Sequence, residues 1–257
     1  LQLEWGDSQA IVKLVGLIGS RQGLGDVLAE GVKRAAQQLG RGAESYAMHV
    51  KGMEMPMHEP RGKKGVGLSY TTSNRGACHL QTLHDPYFEK KDAYPELGVT
   101  KATHRFATDR RKVEHVIKGE HFWGVLSDSL MVCKFTYPDL IKPADLPEIM
   151  RAVTGWDMSI DELMTTAERI FNLCRAFNVR EGVAGKDDIL PRRFEELPIT
   201  GGLARGQTFS SLTLNMMLDD YCDIRGWDRR TGIPTRRRLE ELQLGYVAEE
   251  LSKLGIL

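Results

Sequence analysis

No stretch of this chain approaches the roughly 18 apolar residues in a row that a membrane-spanning helix needs, and nothing at its start resembles a secretory leader. An excess of charge is missing too. The 35 basic residues are balanced by 35 acidic ones, which excludes a nucleic-acid or anionic-membrane partner met through net charge. Short basic runs such as Arg110-Arg111-Lys112 and Arg236-Arg237-Arg238 lie beside acidic residues and read as solvated helix faces. Cysteine is scarce: Cys78, Cys133, Cys174 and Cys222 form neither a disulfide framework nor a C-x-x-C zinc module, so a reducing, cytoplasmic setting is the expectation. An initiator methionine is also lacking. The opening Leu1-Gln2-Leu3-Glu4-Trp5 falls within apolar patterning, as expected of a piece of a longer protein.

What remains is ordinary globular material, 41% hydrophobic and 27% charged, patterned for helices. After Asp7, a plausible N-cap, Ile11, Leu14, Val15 and Ile18 share one helical face. A second helix is predicted from Asp26, with Val27, Leu28, Val32, Ala35 and Leu39 buried and Gly40 as its left-handed cap. Residues 41 to 67, rich in Met, Pro and Gly, read as a connection between helical layers. Further helices are expected over 100–118, 127–136, 145–154, 159–179, 211–225, 236–243 and 246–254. In the fourth of these, Ser159 and Glu162 make a capping box, and Leu163, Ala167, Ile170, Cys174 and Phe177 form a stripe that places Cys174 in the core. Residues 182–206 read as a long surface loop. No alternating strand pattern and no repeat is found, so the predicted class is mainly α.

Two segments have the composition of a site. G-L-S-Y-T-T-S-N-R-G-A-C-H-L, from Gly67 to Leu80, gathers hydroxyl, amide, guanidinium and imidazole groups. It reads equally well as a helix start capped by Thr72, Ser73 or Asn74, with His79 a satisfied histidine. S-D-S-L-M-V-C-K-F, from Ser127, carries the isolated Cys133, whose plainest reading is a buried thiol. Zinc held by His58, Cys78, His79 and Cys133 is awkward, because adjacent Cys78 and His79 diverge. Cys78 as a nucleophile lacks a recognisable cysteine-hydrolase context.

These two segments, together with R-I-F-N-L-C-R-A-F-N-V-R-E-G and L-D-D-Y-C-D-I-R-G-W-D-R-R-T-G-I-P-T, resemble the C-terminal part of the aldehyde:ferredoxin oxidoreductase family of tungsten-pterin, iron-sulfur enzymes. R-Q-G-L-G-D-V-L-A-E-G-V-K-R-A-A is similar to that family's middle helical domain. The resemblance implies a remnant of the middle domain over 1–60 and the C-terminal helical domain over 61–257. It implies aldehyde oxidation to a carboxylic acid at a tungsten or molybdenum bis-pterin centre, with electrons leaving through a [4Fe-4S] cluster to ferredoxin. By the same resemblance, Asp128-Ser129-Leu130-Met131-Val132-Cys133 is the second pterin motif, with Asp128 and Lys134 beside the pterin and Cys133 the fourth cluster ligand. His79 is then the proton-transfer residue, and Arg75 either a phosphate contact or a structural salt bridge. Trp227 and Asp228 are read as a structural turn.

Met131 and Val132 depart from the motif's glycine and leucine, which puts close backbone approach to the pterin in question. The family's C-x-x-C-x-x-x-C run, first pterin motif and catalytic glutamate lie upstream of anything present, so this chain alone is expected to hold neither cofactor and to be inactive. An exposed cleft around His79, Asp128 and Cys133 is expected, left open by the missing N-terminal part and masked by self-association into a homo-oligomer. Two rivals remain: a relative acting on aromatic acyl thioesters or another acid or aldehyde, against which the T-S-N-R-G-A-C-H-L stretch favours the general aldehyde branch, and a non-catalytic helical binding module.

Overall fold

The computed structural model describes residues 4–136 and 140–257; Leu1, Gln2 and Leu3 of the opening segment lie outside them. The chain is mainly α, as its sequence predicts. Three helices come first: α1 (Ser8–Gly19), α2 (Leu24–Leu28) and α3 (Gly31–Leu39). Asp7 caps α1 through a bond from the Ala10 N–H at 2.9 Å. The helix predicted from Asp26 is in fact broken in two, because Gly31 takes a φ of +81° and starts α3 on a new axis. Gly40 ends α3 at the predicted place with a φ of +61°, but its ψ of −149° is an extended conformation open to glycine and not the left-handed cap expected. The expected burial holds at Ala35, which is buried with Ala10 and Ala36, but fails at Ile11, Val15, Val32 and Leu39, which are exposed. Periodicity finds a helix's apolar side; it does not say that a partner covers it.

A two-residue hairpin, β1 (His49–Val50) with β2 (Met53–Glu54), leads into α4 (Lys64–Thr72). Sequence reading missed α4, since residues 41 to 67, with Gly62, Gly65 and Gly67 among them, read as a connection. All nine of its residues are buried, and the glycines make room. A Cβ on Gly65 would stand 2.9 Å from the Asp85 carboxylate and from Val116, and one on Gly67 would strike the Phe209 ring. Neither end of α4 is capped locally. Asp85, some 20 residues ahead, accepts from the Gly65 and Val66 N–H groups at 3.0 Å each and from Lys112 Nζ at 2.5 Å. At the other end the buried ammonium of Lys51 donates to the carbonyls of Thr71 and Ser73 and pairs with Asp188 at 2.7 Å. A carboxylate at the N-terminus and an ammonium at the C-terminus match the helix dipole and satisfy its orphan groups.

α5 (Arg110–Gly124) and α7 (Ile160–Arg180) cross at the centre, with α9 (Ser211–Arg225) against α5. α6 (Leu146–Thr154) packs on α7, and α10 (Arg236–Glu241) and α11 (Gly245–Lys253) close the C-terminal side. A one-turn α8 (Arg193–Glu196) interrupts the expected 182–206 loop. One apolar core joins α5 and α7 to α6 through Phe122, Leu126, Leu146 and Leu163; another joins α4, α5 and α9 through Leu68, Val116, Met217 and Trp227. Between them the Glu120 carboxylate, held by Arg225 Nη2 at 2.5 Å and Tyr221 Oη at 2.7 Å, ties α5 to α9. Burial pushes the Glu120 pKa up, and the Arg225 guanidinium opposes that shift. Trp227 is buried with its indole N–H on Asn172 at 2.7 Å, and Asp228 accepts from Thr231 N at 2.8 Å, the structural turn read from sequence.

Candidate functional site

α5 begins at Arg110 behind its Asp109 cap, so the helix predicted over 100–118 starts ten residues late; it then runs into a π-helical turn, Val125–Ser129. The turn is closed by Leu130 N–H on the Val125 carbonyl at 3.0 Å and Val132 N–H on the Leu126 carbonyl at 2.9 Å. Between these bonds Met131 adopts a φ of +56°. The predicted helix over 127–136 is therefore corrected to a wide turn, a left-handed residue and a short 3-10 turn, Lys134–Thr136. Met131 occupies a backbone state suited to glycine, at a cost of about 1 kcal/mol. The turn keeps its shape where the side chain argues against it, and Met131 itself is 87% exposed.

This turn, the 74–81 loop that follows α4, residues 132–135 and one side of α7 enclose a cleft of about 570 Å³. Arg75, Asp128, Cys133 and Lys134 all line it, so four of the five site residues read from sequence meet in one place. Cys133 is exposed, not the buried thiol of the plain reading. Asp128 and Arg75 are exposed as well. Lys134 Nζ donates to the Leu80 carbonyl at 2.5 Å and lies 5.6 Å from the centre of the Trp123 ring. Burial lowers the Lys134 pKa, and the Asp128 carboxylate opposes that shift. Arg75 Nη2 donates to Cys78 Sγ at 2.7 Å, a contact outside the phosphate and salt-bridge alternatives read from sequence.

His79 is not part of the lining. It belongs to the 74–81 loop that edges the cleft, with its ring 4.7 Å from that of His58 and edge-on to His84. The alternative zinc set is not assembled: His58 and His79 come together, Cys133 stands across the cleft lining, and among the described residues no group of three or more His, Cys, Asp or Glu side chains is arranged to hold a metal ion.

Three lining residues were missed. Cys174 was assigned to the core, but the stripe rotates along α7: Phe171, Arg175 and Val179 are buried, while Cys174 and Phe177 are exposed and Cys174 faces the cleft. Asn74 presents a buried Oδ1 without a hydrogen-bond partner. Glu120 reaches the cleft from the far side of its ion pair with Arg225. No sequence signal marks Glu120 as site-facing, since an acidic residue in a helix normally faces solvent.

The donor set is two exposed thiols, Cys133 and Cys174, one exposed carboxylate, two cations and an unpartnered amide oxygen. It suits the edge of a shared centre: a thiolate for a cluster, cations for phosphates, acceptors for ring N–H groups. Residues 1–244 match the family described as aldehyde ferredoxin oxidoreductase, domains 2 and 3. The chain belongs to this family. It is 34% identical over 240 residues to the tungsten-containing aldehyde ferredoxin oxidoreductase of Pyrococcus furiosus, covering 93% of this chain and 37% of that protein. The corresponding enzyme of Pyrococcus horikoshii is 35% identical over 242 residues, with the same coverage. An aliphatic sulfonate oxidoreductase, WOR-like subunit, of Pyrococcus furiosus is 30% identical over 266 residues, covering 98% of this chain and 37% of that protein. Among solved structures, the active-site complex BamBC of benzoyl coenzyme A reductase, with 1,5-dienoyl-CoA, aligns with a TM-score of 0.75 at 25% identity, over 99% of this chain and 42% of that one. The chain thus spans little more than a third of its aldehyde ferredoxin oxidoreductase relatives, and among the described residues no helix is long and apolar enough to cross a membrane.

Proposed function

We propose that this chain forms one wall of a tungsten or molybdenum bis-pterin site in an enzyme that oxidises an aldehyde to its carboxylic acid, the remainder of the site coming from an N-terminal part like that of its relatives. The carrying observation is the meeting of Arg75, Asp128, Cys133 and Lys134 in one cleft. In this reading residues 61–257 are the C-terminal helical domain and 1–60 belong to the middle one. When bound, the centre supplies the two-electron redox chemistry, and the electrons pass through a [4Fe-4S] cluster to ferredoxin.

The chain's own residues bind and move protons. Cys133 offers its exposed thiolate as one cluster ligand, Asp128 accepts from pterin N–H groups, and Arg75 and Lys134 neutralise phosphate. An aldehyde and water give a carboxylic acid, two protons and two electrons. His79 takes up one of those protons at its imidazole, which is neutral at pH 7 because burial, and then Arg75 and Lys63, lower its pKa.

The test is iron, acid-labile sulfide and tungsten analysis of the anaerobically purified full-length protein and of its Cys133→Ala variant. About four irons in the parent, and their loss in the variant, are expected. Full iron in the variant removes Cys133 from the cluster. A second reading, reduction of an aromatic acyl thioester, rests on the likeness to the BamBC complex. Turnover of acyl thioesters with no turnover of aldehydes in a substrate screen would establish it instead.

A further inference from the structure

His58, His79 and His84 form a cluster that the cleft does not include. His58 stacks on His79 with ring centres 4.7 Å apart and a tilt of 30°, and meets His84 edge-on at 4.6 Å. Lys63 Nζ lies 3.2 Å from His84 Nδ1, and His84 Nε2 lies 2.9 Å from the His79 carbonyl oxygen. An ammonium only donates and a carbonyl only accepts, so a single protonation state satisfies both contacts: Nδ1 accepts from Lys63, and Nε2 carries the proton and donates to residue 79. Both nitrogens of His84 are thereby used, which leaves none for a metal.

We propose that Lys63 and His84 are positioning residues for His79: Lys63 sets the tautomer of His84, His84 pins the carbonyl of residue 79, and His58 packs against the His79 ring. The catalytic consequence rests on the proton-transfer reading of His79; the geometry does not. His58 is held in its turn, since its carbonyl accepts from Tyr70 Oη at 3.0 Å on the buried helix α4. The cluster is thus braced from both sides of the loop that edges the cleft.

The charges facing the cluster favour neutral rings. Burial is the first cause in each case. Lys63 then acts against protonation of all three rings, Arg75 adds to this at His79, and Asp85 and Arg105 face Lys63 itself. For His84 the pKa falls to about 4. At pH 6 to 8 His84 is therefore neutral, which leaves Nδ1 able to accept from Lys63.

The experiment is nitrogen NMR of histidine-labelled full-length protein, paired with steady-state kinetics. In the parent, His84 should hold the neutral Nε2–H form from pH 8 down to pH 5. An Nδ1–H tautomer, or an imidazolium at pH 6, overturns the proposal. In Lys63→Met the freed Nδ1 should bind a proton at a pH closer to the ordinary histidine value, and an unchanged titration overturns it as well. His84→Gln keeps an acceptor for Lys63 and a donor for the carbonyl, and should retain turnover within about twofold. His84→Leu keeps neither, and should lower kcat by about ten- to a hundredfold with KM little changed, the scale expected when a reacting group is misplaced by an ångström or less. Equal activity of the Leu variant and the parent would sink the positioning role. Full activity of His79→Gln, with the His84 tautomer as described, would leave the brace standing and remove His79 from the chemistry.

Discussion

Replacing Asp85 by alanine should destabilise this protein far more than loss of an ordinary ion pair. Asp85 is 1% exposed and its partner Lys112 is not exposed at all. Their 2.5 Å contact is one of three that the carboxylate makes, the others being the first N–H groups of α4 at 3.0 Å. Stranding a buried charge costs about 3–5 kcal/mol, and each unsatisfied buried N–H adds about 1–3 kcal/mol. Water entering the gap serves all three groups together, so the terms do not sum, and a loss of at least about 4 kcal/mol is the working figure. With a urea slope of about 2–3 kcal/mol/M, the unfolding midpoint should fall by about 1.5 M. Lys112→Met added to Asp85→Ala removes the stranded ammonium and should recover part of the loss. A drop below about 1 kcal/mol for Asp85→Ala, the value of a surface pair, would refute the view that α4 depends on a distant cap.

The left-handed Met131 predicts the opposite sign: Met131→Gly should raise stability by about 0.5–1 kcal/mol in the same urea assay, since glycine adopts that conformation without strain. At Gly76 the φ is +96° and a Cβ would lie 2.3 Å from the Val50 carbonyl oxygen, so Gly76→Ala should cost about 2–4 kcal/mol and lower the thermal midpoint. His115, 3% exposed, has its pKa pushed by burial, and then by Lys112, down to about 4. Between that value and the ordinary 6.5 the unfolded chain binds the extra proton, so stability is full above pH 6.5 and falls as pH drops toward 4, by up to about 1.4 kcal/mol per pH unit for this group. Urea midpoints at pH 7, 5.5 and 4.5 should show that decline, and His115→Gln should lessen its slope, with His84 keeping its own share.

Where structure is set by neighbours in sequence, the sequence was enough. Ser159 with Glu162 and the register of Leu163 and Ala167 place α7, and the helix predicted over 211–225 is observed as Ser211–Arg225. The mainly α class follows from the same local periodicity. What failed depends on distance along the chain. α4 is hidden because its caps come from Asp85 and Lys51 and its glycines answer to Val116 and Phe209. The exposure of Val15 and Leu39, and of Cys174 in the cleft, depends on which faces meet, and periodicity carries no such information. Of the site residues, Arg75, Asp128, Cys133 and Lys134 share one cleft, whereas His79, expected in that cleft, packs with two histidines whose sequence spacing gives no hint of contact.

The two distant caps of α4 also bear on the order in which the chain folds. Nine residues with two internal glycines do not hold a helix alone in water. This helix waits for Asp85, and at its other end for Lys51, whose counter-charge Asp188 arrives 137 positions later with Arg175 bound to it. Closing so long a loop comes late, because its entropy is lost before the contact rewards it. The 74–81 loop hangs directly from the end of α4, so the cleft is among the last parts to take shape, and a ribosome that has not yet released residue 188 carries a chain in which neither the far anchor of α4 nor the site is in place.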